Sequence, residues 1–122
     1  MNENIIKSLF EKWNCALKTG DPKEVTKLYS KNAVLLPTVS NKVRRNHEEI
    51  EDYFVHFTAK KPIGQINESS IRIFGNIAIN SGIYTFTLGD LSQVKARFTY
   101  VYEWDGKDWL IIEHHSSKMP ES

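Results

Sequence analysis

At 122 residues the chain is long enough to bury one core without disulfides or metals and too short to divide, so residues 1–122 are expected to form a single domain. Hydrophobic residues make up 40% and charged residues 25%, proportions that suit a globular fold and exclude a disordered or collagen-like chain. Sixteen basic residues against 15 acidic ones leave a net charge of +1, which gives no broad attraction for nucleic acid or for an anionic membrane.

The opening MNENIIKSLF has neither a basic leader nor an apolar signal core, and no stretch approaches the roughly 18 apolar residues of a bilayer span; the expected location is cytoplasmic. From Asn4 to Lys18, Ile5, Ile6, Leu9, Phe10, Trp13 and Leu17 recur near the helical period, which predicts one amphipathic helix ended by Gly20. Cys15 lies in this helix beside Trp13 and Leu17. With no second cysteine to pair with, it reads as a small buried or half-buried hydrophobe.

Asp21 before Pro22, with Glu24 three residues on, predicts a capped second helix running to about Tyr29. AVLLP from Ala33 reads as a short strand closed by Pro37, and the polar Thr38–Arg45 segment as a loop or short edge hairpin. Asn46 with Glu49 opens a third helix whose Ile50, Tyr53, Phe54 and Phe57 share one face. Beyond Gln65 the period falls to two. Four strands follow, divided by turns at Gly75-Asn76, Gly89-Asp90 and Asp105-Gly106, as in an antiparallel meander. Three amphipathic helices covering one face of a curved antiparallel sheet make an α+β architecture, with a cavity expected at the wide end of the resulting cone.

Alternation sorts the last two strands. One face of Ala96–Trp104 carries Arg97, Thr99, Val101 and Glu103, and the other carries Ala96, Phe98, Tyr100, Tyr102 and Trp104. On the last strand Leu110, Ile112 and His114 fall together, opposite Trp109, Ile111, Glu113 and His115, unless a bulge intervenes. Arg97 offers a planar fork of donors suited to an anion, or else makes a cross-strand ion pair with Glu103 or Glu113. His114 and His115 suit proton transfer, a ligand hydrogen bond, or a satisfied place in the fold. Metal binding is the weakest option, because adjacent strand histidines diverge and only His47 and His56 remain to join them. No phosphate loop, nucleophile elbow or dinucleotide fingerprint is present, so no cofactor is expected. A carboxylate base would have to be Glu103 or Glu113. The aromatic residues read mainly as core, with Trp13 and Tyr84 the best placed to offer a polar tip at a cavity wall.

Five segments together resemble a known family: VLLPT with the following Arg44, EEIEDYF, IRIFGNIAINSGIYTFTL, ARFTYVYE, and WLIIEHHSSKMPE. They look like the association, or hub, domain of calcium/calmodulin-dependent protein kinase type II, and still more like its stand-alone bacterial relatives, some catalogued as SgcJ/EcaC-type oxidoreductases. The resemblance implies a nuclear-transport-factor-2-like (cystatin-like) cone, assembly into a homodimer or larger ring, and a deep pocket that in the kinases is lined by arginines. Aligned on the DGK turn, those arginine positions fall at Tyr84, Thr99 and Ser116, none of which is arginine here. The same register turns Ser116 inward and favours His114 over His115 as the pocket histidine.

The expected function is an oligomerising module whose cavity takes a small polar or anionic ligand. Arg97 and Arg44 would supply charge, and His114, Tyr84, Thr99, Ser116 and Trp13 would line the site. The alternative is a small-molecule isomerase, cyclase or oxidoreductase using a pocket histidine as acid and base, and a purely structural assembly module is a third reading. The chain has no kinase signature.

Overall fold

The computed structural model describes residues 2–38 and 40–121; Met1, Ser122 and Val39, the last within the predicted loop, lie outside the described residues. Helix α1 spans Glu3–Lys18, capped by the Asn2 side chain, which accepts the Ile5 N–H. Its buried positions Ile6, Phe10, Trp13 and Leu17 fall on one stripe, as the period requires. Gly20, at φ +75, turns the chain out of the helix. Cys15 departs from expectation: it faces away from that stripe and is exposed.

Helix α2 is a single turn, Pro22–Thr26, with Asp21 accepting the Lys23 N–H. It stops short of the predicted end because Tyr29 already belongs to a strand. Strand β1 covers Tyr29–Leu36, and the neighbouring Leu28 carbonyl accepts from Ile111 N–H. In the loop that follows, Arg44 and Leu35 exchange both backbone hydrogen bonds, a lone antiparallel bridge. Helix α3, His47–Thr58, is capped by Asn46, which accepts from Glu49 N–H. The Glu49 carboxylate returns to Arg45 N–H rather than to the cap residue itself.

Strands β2 (Ile63–Phe74), β3 (Ile77–Thr87), β4 (Gln93–Trp104) and β5 (Trp109–Lys118) form the expected meander. The sheet order is β1-β5-β4-β3-β2. All pairs are antiparallel except β1–β5, where the first strand joins in parallel. The three helices and the inner sheet face enclose one core of aromatic and aliphatic side chains.

Two local features shape the cone. The pairing of β4 with β5 slips between Val101 and Tyr102, a bulge that lets Trp109 and Ile111 share the inner face with His114 and Ser116. The other is a clamp between α1 and the start of β2. The buried Asn14 amide donates to the Gly64 carbonyl and accepts the Gly64 N–H, both at 2.9 Å. That pair holds helix and sheet edge at a fixed spacing. Among the described residues no helix is long and apolar enough to cross a membrane.

Candidate binding cavity

The wide end of the cone holds a narrow cavity of about 40 Å³, room for about three waters. Its walls are apolar: Trp13 from α1, Phe54 and Phe57 from α3, and Phe86 and Val94 from the sheet. Its polar groups gather at one side, where Tyr84, His114, Ser116 and Thr38 meet. Exposed Lys60 is the one cation in the lining, and no carboxylate is part of it among the described residues.

These polar groups form a chain of hydrogen bonds with a single direction as far as Ser116. Trp13 Nε1–H, which can only donate, gives its proton to the Tyr29 hydroxyl at 3.1 Å. Tyr29 lies 2.8 Å from His114 Nδ1 and donates its own proton there. His114 is 3% exposed and its protonation is held down to about 3, first by burial and then by the charge of His115. The ring is therefore neutral. With Nδ1 accepting, the network assigns the proton to Nε2, which donates to the Tyr84 hydroxyl at 3.2 Å. Tyr84 donates to Ser116 Oγ at 2.7 Å, and Ser116 and Thr38 share a hydrogen bond that either hydroxyl can donate. Of the two hydroxyl protons on Ser116 and Thr38, one joins the pair and the other is left free at the cavity. Burial raises the Tyr84 and Tyr29 hydroxyls far above their ordinary range, so both stay protonated and keep this direction.

Packing holds the relay in register. The Tyr100 ring stacks on His114 with centroids 4.0 Å apart, and Trp13 meets it edge-on at 5.6 Å. Tyr100 and His114 are cross-strand partners, and partners on one face of a sheet are the side chains that touch.

The structure divides the residues singled out from the sequence. Trp13, Tyr84, His114 and Ser116 line the cavity together. Arg97 and Thr99 do not. Their partners are Ser117 and His115, so they sit on the outer sheet face, where they border a shallow concavity with Glu68 and His115. Arg97 and His114 are both expected to face the cavity, but His114 pairs with Tyr100 and Arg97 with Ser117, which puts the two side chains on opposite faces. Glu103 and Glu113 are exposed on the outer face as well, and neither makes an ion pair with Arg97 among the described residues. Ile112, at the bulge, is not on the His114 face.

Arg44 is buried but committed elsewhere. Its Nη1 donates to Asp52 at 2.8 Å and to the Glu49 carbonyl at 3.0 Å, and its guanidinium lies 5.7 Å from the Tyr53 ring centroid. That hydrogen bond lowers the Asp52 carboxyl below its usual range. Arg44 therefore ties the loop to α3 rather than lining the cavity. Thr38 and Lys60 were missed as site residues. Thr38 stood in the predicted loop and Lys60 in the segment read only as a helix stop, so neither carried a periodic signal.

His47 donates to the Tyr29 backbone carbonyl at 2.7 Å, a structural use, and His56 is exposed beside Asp52. Among the described residues no three His, Cys, Asp or Glu side chains converge as metal ligands.

A cone of helices on a five-stranded sheet with an aromatic-lined cavity at its wide end is the nuclear-transport-factor-2-like, or cystatin-like, fold. A Pseudomonas putida KT2440 NTF2-like protein of unknown function superposes with a TM-score of 0.82 at 18% identity, over 94% of this chain and 84% of that one. A Parabacteroides distasonis protein assigned as a ketosteroid isomerase does so at 0.78 and 20%, over 95% and 86%. At these identities the likeness concerns the fold alone. The model of the calcium/calmodulin dependent protein kinase II association domain matches residues 2–120, and the chain belongs to that family. A Xanthomonas campestris protein assigned to the same association domain is 48% identical, with a TM-score of 0.96, covering 100% of this chain and 91% of that one. None of the curated proteins matches the chain.

Proposed function

We propose that this association domain is a self-assembling module whose cavity binds a small molecule bearing an acceptor, most simply a carboxylate. The one-way hydrogen-bond chain carries this reading. It starts at an obligate donor and passes through a neutral imidazole, so the Ser116–Thr38 pair at its end keeps one hydroxyl proton to spare. Lys60 adds a cation on the same lining. A ligand entering an otherwise apolar space is then best matched by an acceptor, since an unmatched buried donor costs about 1–3 kcal/mol.

Small carboxylates should raise the melting temperature of the wild-type chain, and their neutral amides should do so less. Lys60→Ala and Thr38→Val are expected to reduce the shift, while Arg97→Ala leaves it unchanged. Shifts that survive both cavity variants and vanish with Arg97→Ala would refute this placement.

The acid–base enzyme alternative finds less support. A general acid or base works best with a pKa near the operating pH, and His114 is held far below it.

Self-association is supported by the outer sheet face, which no helix covers. Ile79 and Val101, cross-strand partners there, are half-buried beside Ile77 and Ile83. Sedimentation is expected to find a dimer or larger ring, and Ile79→Glu is expected to shift it toward monomer. A wild-type chain that stays monomeric at high concentration would contradict the assembly reading.

A further inference from the structure

The two edges of the sheet are not alike. At β1 the loop residue Arg44 exchanges both backbone hydrogen bonds with Leu35 and so occupies part of that edge. Strand β2, 12 residues long, ends the sheet on the other side and pairs only with β3. Asn67, Glu68, Ser69 and Ser70 are exposed there, as are Arg72 and Phe74. A long open edge is a template for another strand, and charged side chains commonly guard it.

The hairpin decides which backbone groups face outward. Phe74 and Ile77 close the two-residue Gly75-Asn76 turn, so that pair is hydrogen-bonded, and bonded pairs then alternate with unbonded ones along the ladder. Arg72, Ser70 and Glu68 therefore direct their N–H and C=O groups to Ile79, Ser81 and Ile83. Ile73, Ile71 and Ser69 turn theirs to the open edge, where no other backbone of the described residues meets them.

The side chains along this edge complement a copy of themselves. Glu68 and Arg72 both project from the outer sheet face, opposite Ile83 and Ile79, and neither joins an ion pair among the described residues. They stand two residues to either side of Ser70. A second β2 laid antiparallel about Ser70 sets each Glu68 opposite the Arg72 of the other copy, and Ser70 opposite its own small counterpart at the axis. These are the unbonded pairs, whose side chains lie closest, while Ser69 and Ile71 supply the hydrogen bonds between them. A guard of one sign repels its own copy; this one attracts it.

We infer that β2 pairs edge to edge with β2 of a second copy of this chain, joining two five-stranded sheets across a two-fold axis at Ser70. The inference rests on the self-assembly proposed above and adds an interface to it. A two-fold contact through the outer face alone stops at a dimer, whereas a second two-fold contact elsewhere carries assembly beyond two copies.

Sedimentation of the full-length chain tests this pairing. Glu68→Arg and Arg72→Glu each set like charges opposite one another twice, and each is expected to weaken the edge contact about tenfold. Both side chains are exposed, so the core is untouched. The double variant restores opposite pairs and should assemble as the wild type does. An equimolar mixture of the two single variants should assemble as well, since the basic edge of one faces the acidic edge of the other. Ser70→Cys combined with Cys15→Ser puts a thiol at the axis, and mild oxidation should give a covalent dimer. An axis through the Ile79–Val101 patch on β3 and β4 would hold the two thiols too far apart to bond. Single variants that assemble like the wild type, a double variant or mixture as weak as the singles, or thiols that do not cross-link would each overturn the edge pairing. Loss of assembly in Ile79→Glu but in neither charge variant would leave the outer face as the interface and the edge unused. A wild-type chain that stays monomeric would remove the assembly reading and this inference together.

Discussion

Lowering the pH from about 7 to about 4 is expected to cost this domain on the order of 3 kcal/mol through His114 alone. Its imidazole is fully buried, and its protonation is held down to about 3 from an ordinary 6.5, chiefly by desolvation. In the unfolded chain the same ring takes up a proton near 6.5. Between the two values the unfolded state binds more protons than the folded one, so stability rises with pH across that window and falls on acidification. Below about 3 both states carry the proton and the loss levels off. Asp52, Asp90 and Asp105 have lowered values too, but their contribution is lost only as pH falls through and below the usual 3.8. The interval from 6.5 down to about 4 therefore isolates the histidine. Urea unfolding at both ends of it should show the loss in the wild type and most of it gone in His114→Gln, whose amide stays neutral and can still bridge Tyr29 and Tyr84. An equal acid loss in the variant would mean that His114 is not held neutral by the fold.

Gly82→Ala is expected to destabilise the domain by about 3 kcal/mol, as backbone overlap in a packed site does. A Cβ built at Gly82 would lie 2.0 Å from the Glu68 carbonyl oxygen and 2.8 Å from Ser69 Cα. Both are backbone atoms, so no rotamer change relieves the overlap. The cause is the slip in β2–β3 pairing between Ile66 and Glu68, which brings the β2 backbone across the inner side of β3 and bends the sheet edge over the core. Against a typical total of about 5–15 kcal/mol, a loss of this size should lower the urea midpoint clearly. An unchanged midpoint would show that β2 can lift off without cost.

The elements were legible because each carried a local signal. Asn46 and Asp21 announced their helices, the stripe Ile6–Phe10–Trp13–Leu17 announced α1, and the glycine and aspartate turns divided the meander. The parallel seating of β1 on β5 left no such trace, since alternation says which residues share a face and not which strand lies beside them. The site was half legible for the same reason. His114, Ser116, Tyr84 and Trp13 converge as expected, but the inward expectation for Arg97 rests on the face it shares with Thr99, a pocket position only by resemblance, whereas the neighbouring Phe98, Tyr100 and Tyr102 make theirs the buried face of β4. The bulge at Ile112 was foreseen only as a possibility. Thr38 and Lys60 come to the cavity from a loop and a helix end, where spacing in the chain says little about position in space.

The most direct measurement is a crystal of this chain soaked with a small carboxylate that raises its melting temperature. The density is predicted inside the cone, with the carboxylate within hydrogen-bond distance of the Thr38 hydroxyl and its charge toward Lys60. A molecule seated instead against Arg97 and His115 on the outer face, with the inner cavity unchanged, would contradict the account.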